Sequence, residues 1–236
     1  MIKTKEGYDR LEYFSENVAS DQRRKEFDIK NHTIIENKLT PTFLFIGDSI
    51  THFWELNAYF NHPDHLIINR GIAGDTTTYL QKRLWVDALQ LHPTYCIVGI
   101  GINDSIDLEG DYWKLIPGLS YETVLNRAKN NIIDIASQFR ASDTTPIFTS
   151  LLPINIPISL CEYLRKKYIC EMNHFLYEYC KAENIIFVNY YPSTTLPGTN
   201  TQLYGITYDG LHPNARGYNI MATVLRNTLE NHNIII

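Results

Sequence analysis

Cysteine is scarce in this chain: there are four in 236 residues, Cys96, Cys161, Cys170 and Cys180, and no two form a C-x-x-C pair. That excludes a disulfide-dense scaffold and a thiolate zinc ribbon, and it reads as free, mostly buried thiols in a reducing compartment. No apolar run approaches the roughly 20 residues that span a bilayer, and neither a low-complexity tract nor an internal repeat is present. Positive charge is not in excess either. With 21 Lys+Arg against 26 Asp+Glu, the net charge of −5 provides no electrostatic footprint for nucleic acid or an anionic membrane surface. The opening Met1-Ile2-Lys3-Thr4-Lys5-Glu6-Gly7 is polar and holds no signal-peptide core, so a cytoplasmic location is expected. The glycosylation sequon Asn31-His32-Thr33 is then an incidental match. His62, Asp64 and His65 have ligand chemistry, but Pro63 and the loop context read as solvated turn residues. Neither a metal nor a cofactor is expected.

What remains is an ordinary globular composition, 44% hydrophobic and 20% charged, in a chain long enough to bury a substantial core as one domain. Residues 8–36 are polar, with helical intervals such as Leu11, Phe14 and Val18. They read as one or two helices in an N-terminal extension, 1–40, packed on a main domain of 41–236. From there strand-like apolar runs at 43–47, 66–70, 95–100, 146–151 and 185–189 alternate with helical patterns at 51–60, 76–90, 121–140, 159–182 and 214–231. Five strands separated by helices predict an α/β fold: a five-stranded parallel sheet in a three-layer α/β/α sandwich, flavodoxin-like in plan. Such sheets bind ligands outside the carboxyl ends of their strands. Chemistry is therefore expected just after residues 47, 70, 100 and 151.

Those positions carry reactive groups. Phe43-Leu44-Phe45-Ile46-Gly47-Asp48-Ser49 delivers a serine from a buried strand to the mouth of a helix. Asn69-Arg70-Gly71-Ile72-Ala73-Gly74-Asp75-Thr76 combines glycines for a tight turn with residues that cap a helix, and its exposed N–H groups can stabilise an anion. Gly99-Ile100-Gly101-Ile102-Asn103-Asp104 lacks the third glycine of a dinucleotide fingerprint. It offers instead the neutral amide of Asn103, which can hydrogen-bond a developing oxyanion. In Asp209-Gly210-Leu211-His212-Pro213, the proline biases His212 away from helical geometry and Gly210 permits a sharp turn. An imidazole held by Asp209 at one nitrogen can act as a general base through the other. Together these residues fill the roles of acyl transfer.

The set Gly47-Asp48-Ser49-Ile50, Asn69-x-Gly71-x-x-Gly74-Asp75-Thr76, Gly101-x-Asn103-Asp104 and Asp209-x-x-His212-Pro213 resembles the SGNH hydrolases, or GDSL esterases and lipases, from about residue 42 to 230. Gly71-Ile72-Ala73-Gly74-Asp75-Thr76-Thr77 looks closest to the branch of platelet-activating-factor acetylhydrolase catalytic subunits and bacterial acylhydrolases. The resemblance implies Ser49 as nucleophile, His212 as base and Asp209 as its partner. It also implies an oxyanion hole made of the Ser49 N–H, the Gly74 N–H and the Asn103 side chain. Ile50 stands where the family usually has leucine. The missing second elbow glycine after Ser49 separates the chain from the α/β-hydrolases.

Substrate is less sharply encoded. Tyr112 and Trp113 in the 105–120 stretch, and Pro153, are candidate pocket residues, with 194–208 as a further rim. The expected substrate is a small-molecule ester of a short acyl or acetyl group. A carbohydrate O-acetylesterase or a lysophospholipase/thioesterase is the enzymatic alternative, and a catalytically idle binding module the alternative of another class. The N-terminal helices could cover a sheet edge or form a homodimer contact.

Overall fold

A computed structural model describes residues 1–5, 7–11, 18–110, 114–157 and 159–236. A short antiparallel ribbon, β1 (Ile2–Lys3) with β2 (Asp9–Arg10), precedes helix α1 (Val18–Glu36). Next come β3 (Phe43–Gly47), the short helices α2 (Ser49–His52) and α3 (Leu56–Tyr59), β4 (Ile67–Gly71), α4 (Thr77–Asp87) and β5 (Tyr95–Gly99). The chain continues with α5 (Tyr121–Phe139), β6 (Thr145–Thr149), α6 (Glu162–Ala182), β7 (Ile186–Val188), α7 (Tyr191–Thr194) and α8 (Ala215–Glu230). The five longer-range strands form one sheet in the order β4-β3-β5-β6-β7. The pairs β3–β4, β3–β5 and β6–β7 are parallel. This is the helix-flanked parallel α/β sheet that the strand–helix alternation predicts. The chain steps from β3 to β4 on one side and then to β5 on the other, a strand-order reversal of the kind beside which such sheets bind ligands.

The chain divides into two compact units, Met1–Ile100 with Asn131–Pro146, and Gly101–Asn130 with Ile147–Ile236. In the first unit, β3 is buried along its whole length, and its neighbours run in register so that Gly47 stands opposite both Gly71 and Gly99. The continuous apolar run Phe43-Leu44-Phe45-Ile46 is what a strand covered on both faces requires. Helix α1 joins this unit through polar contacts. Arg24 reaches Asp87 at 3.0 Å, and Asn31 is fully buried, taking the Arg70 guanidinium on Oδ1 at 2.8 and 3.0 Å while its amide donates to the Val86 carbonyl. The Asn31 sequon is thus built into the packing. Leu11 packs against the Phe27–Ile72 cluster. Phe14 lies outside the described residues.

In the second unit, α6 supports the segment after β5. Tyr168, wholly buried, donates its hydroxyl to Gly101 O at 2.9 Å, and Arg165 donates to Ser105 Oγ and Glu109 Oε1, each at 3.0 Å. All four cysteines are free; Cys96 and Cys180 are buried, and burial pushes the Cys180 thiol up to about 12.

Two local expectations are corrected. The helix expected over 51–60 breaks into α2 and α3, because Asn69 Nδ2 takes the carbonyls of Thr51 (2.7 Å) and Trp54 (3.1 Å) that a continuous helix would use itself. The N-terminal extension, read as one or two helices, opens with the β1–β2 ribbon before its helix.

Candidate active site

Ser49 sits at the first position of α2, directly beyond the carboxyl end of β3, and is 4% exposed. The turn that places it is tightly fitted. A Cβ on Gly47 would lie 2.1 Å from Gly99 O and 2.6 Å from Thr51 Oγ1, so only glycine lets β3 end there. Asp48 then caps α2, its carboxylate accepting the Ile50 N–H at 2.9 Å.

After β4, the turn 72–75 runs alongside. Ile72 N–H donates to Gly47 O (2.9 Å) and Asp75 N–H to Ile72 O (3.2 Å). Gly74 has φ +80°, in the left-handed region, and is exposed. Among the described residues no acceptor takes its N–H. Gly71 serves packing instead: a Cβ there would lie 2.2 Å from the His52 nitrogen, so its bareness lets α2 settle against the end of β4.

Sequence reasoning missed the groups that hold these two turns together. Arg83 is fully buried in α4 and donates to Asp75 Oδ2 (2.6 and 2.8 Å), Arg70 O (2.9 Å) and Gly47 O (3.0 Å), with Asp87 Oδ2 at 3.3 Å. Burial pushes the Asp87 carboxyl up, against the pull of Arg83 and Arg24. Burial likewise brings Arg70 down to about 10. Asn69 closes the arrangement by accepting the Gly71 N–H on Oδ1 at 2.8 Å. An arginine inside an otherwise amphipathic pattern, eight residues after Asp75, was the available signal for this clamp.

In the second unit, Asn103 opens a 3-10 turn, Asn103–Leu108, and is 6% exposed. Gly101, at φ +124°, turns the chain into it. Farther along, Asp209 uses both carboxylate oxygens: Oδ1 accepts the N–H groups of Leu211 (3.0 Å) and His212 (2.8 Å), and Oδ2 lies 2.6 Å from His212 Nδ1. Burial works to raise the Asp209 carboxyl, but hydrogen bonds from the His212 backbone and ring and from Leu211 outweigh it and hold the group below its usual range. Asp209 is therefore a carboxylate, and it faces the Nδ1 side of the His212 ring. Gly210, at φ +86°, has its would-be Cβ 1.8 Å from Asn155 O, and its own carbonyl accepts the Asn155 N–H at 2.8 Å. Asn214, two residues past His212, caps α8 by accepting from Arg216 and Gly217. The His212 loop is thereby fixed at both ends.

Of the expected pocket residues, Pro153 is buried and its carbonyl accepts from Gln202 Nε2 at 2.8 Å. Tyr112 and Trp113 lie outside the described residues. His62 and His65 stack on each other with centroids 4.1 Å apart, and among the described residues no group of three or more His, Cys, Asp or Glu is arranged to hold a metal ion. Among them, too, no helix is long and apolar enough to cross a membrane.

The GDSL-like lipase/acylhydrolase sequence profile matches residues 45–220, a span that contains the Ser49 turn, the Gly74 turn, Asn103 and the Asp209–His212 pair. The chain belongs to the GDSL-like lipase/acylhydrolase family. It is accordingly a hydrolase of the esterase/acylhydrolase kind, as its serine-bearing strand end and His–Asp pair suggested. Among solved structures, it resembles a GDSL-like lipase from Bacteroides thetaiotaomicron at 25% identity and TM-score 0.72, over 88% of this chain and 97% of that one. A platelet-activating-factor-type protein from Streptococcus pneumonia aligns at 24% identity and TM-score 0.67, over 91% and 92%. The acetylxylan esterase Axe2 of Geobacillus stearothermophilus, in a catalytic mutant form, aligns at 18% identity and TM-score 0.62, over 81% and 96%. The latter two likenesses speak for the fold. No curated protein matches the chain.

Proposed function

We propose that this GDSL-family enzyme hydrolyses carboxylic esters through an acyl-enzyme on Ser49. The observation that carries the reading is the Asp209–His212 pair, with Oδ2 at 2.6 Å from Nδ1 and Oδ1 bound to two backbone N–H groups, in a chain whose family profile also contains Ser49. In the first step Ser49 Oγ bonds to the acyl carbon while His212 Nε2 takes the hydroxyl proton. The N–H groups of Ser49 and Gly74 and the amide of Asn103 receive the oxyanion. His212 returns the proton to the departing alcohol oxygen. Water then attacks the acyl-enzyme with the same base, releasing the acid and restoring Ser49. Asp209 holds the imidazole tautomer and offsets the imidazolium charge.

For the substrate we propose a small-molecule ester with a short acyl or acetyl group, with Tyr112, Trp113 and Pro153 forming part of its pocket. An acetylated sugar is the second reading, favoured by the fold shared with Axe2, an acetylxylan esterase. A cytoplasmic site of action, and 1–40 as an extension of a 41–236 hydrolase domain, complete the proposal.

The test is initial-rate measurement on esters of graded chain length, acetylated sugars and acyl-CoA, with Ser49→Ala as blank. Parent activity on short acyl esters with loss of acyl-enzyme in Ser49→Ala is the expected result. Undiminished hydrolysis by Ser49→Ala would remove the assignment, and background rates on every substrate would favour an idle binding module.

A further inference from the structure

We propose that His52 is a positioning residue, whose neutral imidazole holds the turn that offers the Gly74 N–H to the oxyanion. The proposal rests on the ester-hydrolase reading above and adds a residue to it. His52 Nδ1 lies 3.2 Å from the Ala73 nitrogen and accepts its N–H. On the other side of the same residue, Ser20 Oγ donates to Ala73 O at 3.3 Å.

Peptide planarity gives these two bonds their consequence. The Ala73 carbonyl and the Gly74 N–H belong to one rigid plane, and the Ala73 N–H belongs to the plane before it. Ser20 therefore fixes the orientation of the Gly74 donor, and His52 fixes the plane that leads into it. The turn needs such external support. Gly74 is exposed, a Cβ on it would meet nothing within 4 Å, and glycine has the freest backbone of any residue. Preorganised donors are effective in oxyanion stabilisation because they need no reorientation as charge develops.

Local packing brings His52 to this place. The bare Gly71 admits the backbone of α2, with a would-be Cβ 2.2 Å from the His52 nitrogen and 2.7 Å from its Cα. The ring stacks on Phe53, centroids 4.9 Å apart. An acceptor at Nδ1 requires the neutral ring with its proton on Nε2, since imidazolium carries N–H at both nitrogens. The surroundings favour that form. Burial and then Arg23 of α1 hold the His52 imidazole below its ordinary value, Lys30 adds to this, and only Glu26 opposes it. Elsewhere around it the charged groups are engaged: Asp48 caps α2, Arg70 on β4 is bound to Asn31, and Asp75 of the turn is bound to Arg83.

The experiment compares parent, His52→Phe and His52→Asn, the last carrying an acceptor oxygen near the Nδ1 position without a titrating ring. Amide hydrogen exchange at Ala73 and Gly74, read by NMR, is measured beside steady-state ester hydrolysis. Ala73 should be protected in parent and His52→Asn and exchange much faster in His52→Phe. The kcat of His52→Phe should fall about tenfold, less than the ~10²–10³ that removal of a whole oxyanion donor costs, with KM little changed and most of the loss restored in His52→Asn. If His52→Phe does not fold, the parent decides, because the Ala73 amide signal must follow protonation of the His52 ring. An Ala73 amide indifferent to both substitution and protonation overturns the proposal, as does an unchanged kcat in folded His52→Phe. Equal inactivity of parent and Ser49→Ala on every ester would instead overturn the ester-hydrolase reading, and the amide measurement would still report whether His52 holds the turn.

Discussion

Replacing Arg83 by methionine removes the guanidinium that joins Gly47 O at the Ser49 turn to Asp75 at the Gly74 turn. Methionine keeps much of the stem, so volume is a minor part of the effect. The main cost is electrostatic: Asp75 and Arg83 are both fully buried, and the variant leaves the Asp75 carboxylate without the arginine that now contacts it at 2.6 Å. Asp87 retains Arg24 at 3.0 Å and Asp75 keeps the Thr76 N–H on Oδ1 at 3.0 Å, so one broken buried ion pair is counted, not two. Breaking one buried pair costs about 3–5 kcal/mol. For a chain of this size each kcal/mol lowers Tm by roughly 2–4 °C, giving a fall of about 10 °C. Differential scanning calorimetry of parent, Arg83→Met, Asp75→Asn and the double variant measures it. The double variant should lose less than the sum of the singles, with a coupling of about 0.5–3 kcal/mol. A Tm for Arg83→Met within about 2 °C of parent, together with additive singles, would refute the idea that this pair carries the local structure.

Three further substitutions probe the proposed chemistry. Asn103→Ala should lower kcat on the order of a hundredfold or more while substrate binding changes little, as for loss of an oxyanion donor; steady-state kinetics separates the two. Gly210→Ala should displace the His212 loop, because its Cβ would lie 1.8 Å from Asn155 O and the backbone is at positive φ; activity should fall with a visible loss of Tm. Asp209→Asn should lower kcat, but by less than the ~10⁴ seen when a buried triad aspartate is neutralised, because the Asp209 side chain is 53% exposed. The pH dependence follows from the sign of the Asp209 shift. Its folded value lies below the ordinary 3.8, so its stabilising contribution is complete above that value and is lost as pH falls through the folded one. Melting curves of parent and Asp209→Asn should differ in their pH dependence only in that acid window.

The five strands were legible because each is a short apolar run bounded by turn residues, and a buried parallel strand needs that pattern. Ser49, Gly74, Asn103 and the Asp209–His212 pair stood out for a related reason. Turns that end strands tolerate few residue types, so their chemistry is concentrated in short motifs. The break at 53–55 was not legible, since residues 51–60 carry helical spacing and the competing donor, Asn69, lies in a later strand. Helix α1 gave a weak pattern because its buried face includes Ser20, Arg24 and Asn31, polar groups that reach distant partners in Ala73, Asp87 and Arg70.

By itself, then, the sequence determined the strand–helix alternation, the residues at the strand ends and the Asp209–His212 contact within one loop, all of which depend on neighbours a few positions away. Only the tertiary structure decided what holds those ends in place. Arg83 meets Gly47 across 36 positions, and His52 meets Ala73 across 21. Such partnerships leave no local periodicity, because each forms only after the strands align and burial makes every unpaired polar group costly.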